Sequence, residues 1–265
     1  MVKAVIATGP DLPPQVRDIE LPPVGPGDVR VRVAAAGVCH SDLSMINGTL
    51  APRYPLVLGH EAAGTVAEVG ADVTKVRVGD RVVLNWAAAC GECWFCGEGE
   101  PWLCSAVEGA VSPASGATLD GGELYACMGV GGFAEELVAP ERSVVPLPAT
   151  TPLDLGALLG CAVLTGIGAV RNTARVREGQ SVLVIGLGGI GLSTVMGARL
   201  ARAGTIIAVD RGTEKKRLAE KAGATHYLEA DPKLARQVRA LTEGRGADHA
   251  FECVGRAELI RTAWQ

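Results

Sequence analysis

Four cysteines fall within fifteen residues, as Cys90-x2-Cys93-x2-Cys96-x7-Cys104. The two-residue gaps let consecutive thiolates reach one ion, and the seven-residue arm closes a tetrahedron around it. A four-thiolate set leaves no position for substrate, so this pattern points to structural Zn2+ fixing a loop that has little apolar material of its own. Free or disulfide-bonded cysteines are the plainer alternative. A second chemistry lies in Gly186-Leu187-Gly188-Gly189-Ile190-Gly191. The first glycine of GxGxxG permits a tight turn, the second lets backbone amides approach a pyrophosphate, and the third lets helix and strand pack closely. Asp210 lies 19 residues beyond Gly191, where a carboxylate takes ribose hydroxyls. Arg211 and Lys215, just past it, are counted with the same dinucleotide site. A glycine-rich core turn would leave Asp210 unexplained. Cys39, His60, Glu61 and Cys161 are also of ligand type, but spacing alone does not join them. Taken singly, Cys161 reads as a core thiol, His60 as a hydrogen-bonded strand end and Cys39 as a small buried residue.

The elements around the glycine turn make it meaningful. Ser181–Ile185 (SVLVI) is short, apolar and β-branched, which predicts a buried strand; Leu192–Ala203 has helical composition. Thr205–Val209, Thr225–Leu228 and His249–Val254 predict further strands, separated by helices over Thr213–Ala222 and Pro232–Thr242. Upstream, strands are predicted at Lys3–Ala7, Val29–Ala34, Ala63–Val69, Arg81–Leu84, Phe133–Ala139 and Ser143–Leu147. Ser105–Gly132, rich in Gly and Ser, reads as a surface loop, and one helical stretch runs from Pro152 through Cys161 and Thr165. The chain is therefore β-rich to about residue 162 and alternating β/α over 163–265. Two mononucleotide-binding halves require about six strands, yet only four are legible before Gln265.

Composition narrows the function classes. A net charge of −4 over 265 residues, with no Lys/Arg run, argues against a nucleic-acid surface. The amino terminus carries no basic region followed by an apolar stretch, so no secretory signal is visible. The longest apolar run, Val182–Ala198, is broken by glycines and already explained as strand and turn, which excludes a membrane span. Eight cysteines, clustered in a long chain without a signal, favour metal binding in a reducing cytoplasm over a secreted disulfide framework.

Five ordered stretches carry a resemblance: GVCHSDL, LGHEAAGTVAEVG, CGECWFC with its following cysteine, GCAVLTGIGAV and GLGGIG. Together they resemble the zinc-dependent medium-chain alcohol dehydrogenases along essentially the whole chain. GALLGCAVLTGIGAV and FECVG look most like the class III branch, the thiol-dependent formaldehyde dehydrogenases. The resemblance implies an α/β protein with a β-rich GroES-like catalytic domain and an incomplete doubly wound Rossmann domain. It implies that Cys39, His60 and Cys161 hold a catalytic zinc, with Glu61 close enough to exchange onto the metal. Asp42 matches the carboxylate that orients His60, and Ser41 the hydroxyl that takes the alcohol proton. His40 matches a pyrophosphate contact, Thr165 and Ile190 border the nicotinamide, and Trp86 lines the substrate pocket. One catalytic zinc, one structural zinc and NAD are the implied cofactors, with hydride passing between a primary alcohol or aldehyde adduct and NAD.

Two departures follow. Ser44 stands where many members have a histidine, which breaks the outer end of the proton relay. Family members also continue for roughly another hundred residues, supplying the remaining sheet strands and the usual dimer edge. The expected activity is NAD- and zinc-dependent alcohol oxidation in the cytoplasm, by a full-length homodimer or homotetramer. The alternatives are a formaldehyde dehydrogenase acting on a thiol adduct, a polyol dehydrogenase, and a zinc- and nucleotide-binding protein without turnover. The 265-residue polypeptide made alone is expected to aggregate and to turn over alcohols poorly.

Overall fold

The computed structural model describes residues 1–107 and 111–265, divided into two compact units, Met1–Cys161 and Ala162–Gln265. The first unit begins with β1 (Val2–Ala7), β2 (Gln15–Ile19), β3 (Asp28–Gly37), the short helix α1 (His40–Ile46), β4 (Leu56–Val57), β5 (Glu61–Val69) and β6 (Arg81–Leu84). A single turn, α2 (Trp94–Gly97), lies in the cysteine loop; β7 (Ala114–Leu119), β8 (Gly122–Ala126), β9 (Glu136–Pro140), β10 (Val144–Pro146) and α3 (Leu153–Leu158) follow. Among the described residues these strands form two five-stranded sheets, ordered β2-β1-β4-β8-β7 and β10-β6-β5-β3-β9. The VRVRV alternation of β3 explains its orientation: Val29 and Val31 are fully buried in a core shared with Val66, Val82 and Leu84, while Arg32 stays exposed.

The chain changes sheets between β4 and β5, at Leu58-Gly59-His60. Gly59 makes the corner possible. Its φ is +88°, and a Cβ there would lie 2.6 Å from the backbone nitrogen of Phe133. His60 is thereby placed at a sheet corner with its ring fully buried.

Three sequence expectations are corrected. The stretch read as a loop, Ser105–Gly132, contains the β7–β8 hairpin; residues 108–110 of that stretch lie outside the described residues. Its turn is Asp120-Gly121, with φ of +51° and +78°, the backbone that a two-residue hairpin turn needs. Strand composition was too poor in β-branched residues to reveal it, although the Asp-Gly pair was a usable signal. β2 was missed because QVRDI is a largely exposed edge strand of mixed polarity. The single helix expected from Pro152 to Thr165 is interrupted at Leu159–Cys161, where Gly160 lies against the Leu84 carbonyl so closely that a Cβ would stand 2.9 Å from it.

The second unit contains α4 (Ala162–Gly168), β11 (Ser181–Ile185), α5 (Gly189–Leu200), β12 (Thr205–Asp210), α6 (Lys216–Ala222), β13 (His226–Glu229), α7 (Leu234–Leu241), β14 (His249–Glu252) and α8 (Ala257–Trp264). Its strands form a parallel sheet ordered β13-β12-β11-β14. Every residue of β11 is buried: Val182 and Val184 belong to the core cluster containing Val195 and Ala198 of α5, whereas Leu183 and Ile185 join Leu234 and Val238 of α7. Two covered faces explain why this strand reads as a continuous apolar run. Among the described residues no helix is long and apolar enough to cross a membrane.

The polar exception in β11 is Ser181, whose backbone N–H and hydroxyl both donate to Asp248 Oδ2 at 2.7 Å. Its hydroxyl accepts the Asp248 N–H at 3.0 Å, which ties β11 to the start of β14. The Ser181 amide, then its hydroxyl, hold the Asp248 carboxyl below the usual carboxylate range. A depressed folded-state value contributes stability above the unfolded pKa of about 3.9, and that contribution is lost as pH falls through the folded value. Ser181→Ala should therefore cost about 1–2 kcal/mol at neutral pH in urea unfolding, through two lost hydrogen bonds. The deficit should shrink below about pH 4 as the partner carboxylate protonates; a pH-independent deficit would contradict this linkage.

Candidate metal centres and cofactor site

Cys39, the adjacent pair His60-Glu61, and Cys161 come from three separate stretches of the first unit, yet their donor atoms lie within 4.8 Å of one another. Cys39 is the N-cap of α1, His60 occupies the sheet corner, Glu61 opens β5, and Cys161 follows α3. Asp42, in the first turn of α1 and 2% exposed, organises the group. Its Oδ2 accepts the Cys39 N–H at 2.9 Å, the reach-back of a capping box. Its Oδ1 accepts the Gly59 N–H at 3.1 Å and lies 3.3 Å from His60 Nδ1. Donation of Nδ1–H to Asp42 fixes the tautomer and leaves the Nε2 lone pair for the cluster.

That Nε2 is the telling atom. It is buried and has no hydrogen-bond partner among the described residues. An orphaned buried nitrogen costs about 1–3 kcal/mol, so such atoms persist where something else satisfies them. Burial opposes a charged His60 ring, but Asp42 and the thiols of Cys127, Cys161 and Cys39 outweigh it and raise its pKa. Cys161 and His60 together hold the Cys39 thiol down to about 3, while Cys39 and burial push Cys161 up. Burial, then the charge on Cys39, raise the Glu61 carboxyl. The pocket thus favours positive charge at the shared centre. Two sulfurs and one imidazole nitrogen are a donor set that fits Zn2+ with an open fourth position.

The cysteine loop fits a closed site. Sγ separations are 3.5 Å for Cys93–Cys96, 3.6 Å for Cys90–Cys104 and 3.9 Å for Cys93–Cys104. A tetrahedron with Zn–S of about 2.3 Å requires S···S near 3.8 Å, whereas a disulfide requires about 2.0 Å. All four cysteines are free. Backbone amides support the sulfurs, with Cys90 N–H donating to Cys104 Sγ and Cys93 N–H to Cys90 Sγ, both at 3.3 Å.

In the second unit the glycine turn lies between β11 and α5, with Gly188 as the N-cap of α5. Gly186 has φ +91°, and a Cβ on Gly191 would stand 1.8 Å from the Gly186 carbonyl oxygen, so helix and strand touch backbone to backbone. A Cβ on Gly188 would meet nothing within 4 Å. Open space in front of a helix N-terminus is what a phosphate group needs. The turn lines a cavity of about 640 Å³ together with Asp210, Arg211, Lys215 and Cys253. Asp210 Oδ2 accepts the Leu187 N–H at 3.0 Å and the Lys215 Nζ at 3.1 Å; Oδ1 accepts the Arg211 N–H at 2.7 Å. Burial pushes the Asp210 carboxyl up, but the Arg211 and Leu187 amides and Lys215 outweigh it and keep it low. Of roughly four acceptor positions on a carboxylate, three are used, which leaves one for a ligand hydroxyl. These residues fit a dinucleotide.

Other expected site residues are placed as follows. His40 is exposed at the start of α1, and Ser41 Oγ lies 3.7 Å from Cys39 Sγ. Thr165 is exposed on α4, and Ile190 is half-buried in the first turn of α5. Trp86 packs against the core of the β3-containing sheet and lines a cavity of about 430 Å³ whose walls do not include the Cys39 cluster. Sequence reading overlooked Cys127, which is fully buried with its Sγ 3.8 Å from Asp42 Oδ1 and 3.9 Å from His60 Nδ1. No local pattern marks it: long-range contacts, the parallel pairing of β4 with β8 and the Gly132 N–H bond to the Gly59 carbonyl, bring it beside the sheet corner.

Comparison with known proteins agrees with this geometry. Residues 25–149 match the family model of the alcohol dehydrogenase GroES-like domain, and residues 189–265 that of the zinc-binding dehydrogenases. An S-(hydroxymethyl)glutathione dehydrogenase of Photobacterium damsela subsp. piscicida is 42% identical over 98% of this chain and 73% of its own length. The crystal structure of an alcohol dehydrogenase zinc-binding domain protein from Burkholderia ambifaria superposes with a TM-score of 0.91 at 35% identity, over 99% of this chain and 73% of that one. Benzyl alcohol dehydrogenase from Acinetobacter calcoaceticus gives 0.89 at 29% identity, with the same coverage.

Two separate donor sets lead to a metal count. Purified protein is expected to hold close to two zinc equivalents. Cys93→Ser should remove one and lower thermal stability, and Cys161→Ala should remove the other with a smaller structural effect. Unchanged zinc content in Cys161→Ala would overturn the assignment of the buried cluster.

Proposed function

We infer that this chain, which belongs to the zinc-binding alcohol dehydrogenase family, is an oxidoreductase that moves a hydride between a primary alcohol and NAD. The observation that carries the reading is His60 Nε2, buried and unpartnered beside two thiols. In such a site zinc supplies Lewis acidity towards an alcohol oxygen, and NAD supplies hydride acceptance. Cys39, His60 and Cys161 would hold the ion, their two thiolates offsetting its charge. Glu61, buried beside them, would offer the ion a further oxygen donor. Asp42 keeps the His60 ring in one orientation and one tautomer.

Ser41 Oγ is assigned the alcohol proton, with exposed His40 next to it as an outlet to water or as a pyrophosphate contact. The amides of the glycine turn and the α5 N-terminus would carry the pyrophosphate, Asp210 a ribose hydroxyl, and Arg211 and Lys215 the charge around it. Thr165 and Ile190 are assigned to the nicotinamide, and Trp86 to the substrate side. The four-thiolate site is assigned a structural role, since no ligand position remains open there.

A second substrate reading has a specific observation behind it. Relatives 42% identical to this chain are named S-(hydroxymethyl)glutathione dehydrogenases, so a thiol adduct of formaldehyde is the competing substrate. The test is the rate of NAD reduction with a panel of primary alcohols, and with formaldehyde in the presence and absence of glutathione-like thiols. Turnover of simple alcohols supports the leading reading, strict thiol dependence supports the second, and no reduction with any substrate by zinc-replete protein refutes both.

The cofactor site generates two further expectations. Gly188→Ala should leave thermal stability unchanged, because its Cβ enters open space at an ordinary φ of −74°, but should weaken NAD binding. Gly191→Ala should destabilise the fold itself, because the clash is with backbone. Equal effects of the two on stability would contradict the cradle. NAD should also bind more tightly than NADP in calorimetry, since the Asp210 carboxylate repels a 2′-phosphate. Asp210→Gly should shift the preference towards NADP, with Arg211 free to pair with the phosphate. Tighter NADP binding by the unaltered protein would refute the assignment.

A further inference from the structure

We propose that Cys127 is a positioning residue for the buried metal site, its S–H completing the set of donors that locks Asp42 against His60. The inference rests on the metal reading above and adds a residue that no ligand motif contains. Asp42, His60 and Cys127 are all buried, at 2%, 0% and 0% exposure, and their donor atoms lie within 4.8 Å of one another. His60 has one hydrogen on Nδ1 when Nε2 is kept free, and that hydrogen points to Asp42 Oδ1 at 3.3 Å. The thiol hydrogen of Cys127 then has one hydrogen-bond acceptor in reach among the described residues, the same Oδ1, at 3.8 Å. Oδ1 receives Gly59 N–H, His60 Nδ1–H and Cys127 S–H, while Oδ2 receives Cys39 N–H.

The sulfur also stands 3.9 Å from Nδ1, the ring nitrogen other than the proposed metal-binding Nε2. It limits rotation of His60. Cys127 is itself held in place, because its carbonyl accepts the N–H groups of Val130 at 3.0 Å and Gly131 at 3.3 Å. The main chain that carries the thiol is therefore anchored independently of the site it serves. Groups that hold a ligating histidine act on affinity and ligand-field geometry without touching the ion.

The test uses zinc and, separately, Co2+ bound to the full chain. Chelator competition should show that Cys127→Ala weakens one of the two zinc sites about tenfold, the lower end for loss of an outer-shell partner. In the cobalt-loaded protein the ligand-field bands of the buried site should shift; the four-thiolate site contributes equally to all variants, so difference spectra isolate the buried one. Cys127→Ser, which keeps a donor, should restore both readouts. Cys127→Val, which fills the volume without a donor, should behave like the alanine variant. Wild-type behaviour of Cys127→Ala overturns the proposal, and so does full recovery in Cys127→Val, which would leave packing alone. If Cys127→Ala does not fold, the serine–valine comparison decides by the same criteria. If unaltered protein holds only one zinc equivalent, the metal reading itself falls, and this proposal with it; two equivalents with an inert Cys127 would sink the proposal alone.

Discussion

A single buried carboxylate holds the first unit's chemistry together. Asp42 binds the backbone of Cys39 through one oxygen, and the Gly59 amide and His60 ring through the other. It therefore fixes the start of α1 relative to the sheet corner, and with them two of the three proposed metal donors. Burying a carboxylate is costly unless its lone pairs are satisfied, and here the satisfying groups are those that must be positioned. Placing the acid on α1 rather than on a loop gives it a rigid base.

The third donor, the second of the two thiols, arrives by a different route. Cys161 follows α3, which packs on β3, β5 and β6, and the approach of Gly160 to the Leu84 carbonyl brings the chain down onto the site. Small residues act here as spacers that let backbones meet. Gly59, Gly160 and Gly191 each stand where a Cβ would strike main chain, so side-chain repacking could not relieve the clash. In the second unit the contact of Gly191 with Gly186 sets the N-terminus of α5 at the mouth of a cavity.

What could be read from the sequence depended on how local the information was. The cysteine loop and the glycine turn were legible because their ligating atoms lie close in the chain, and β11 because burial on both faces leaves a continuous apolar run. Cys39, His60 and Cys161 carried no mutual signal; their convergence is tertiary, and a family resemblance had to supply it. The β7–β8 hairpin was missed because its strands are poor in β-branched residues. Cys127 was invisible because long-range pairing delivers it to Asp42: Leu56 with Tyr125 and Val57 with Ala126 before it, and the Gly132 N–H to the Gly59 carbonyl after it.

The central claim is that the buried cluster is a mixed sulfur–nitrogen metal site built around His60. Zinc K-edge absorption fine structure on protein whose four-thiolate loop has been emptied by substitution measures this directly. The account requires two sulfur scatterers at about 2.3 Å and one nitrogen at about 2.0–2.1 Å, with a fourth light atom. A shell with only sulfur, or one containing no sulfur at all, would contradict it.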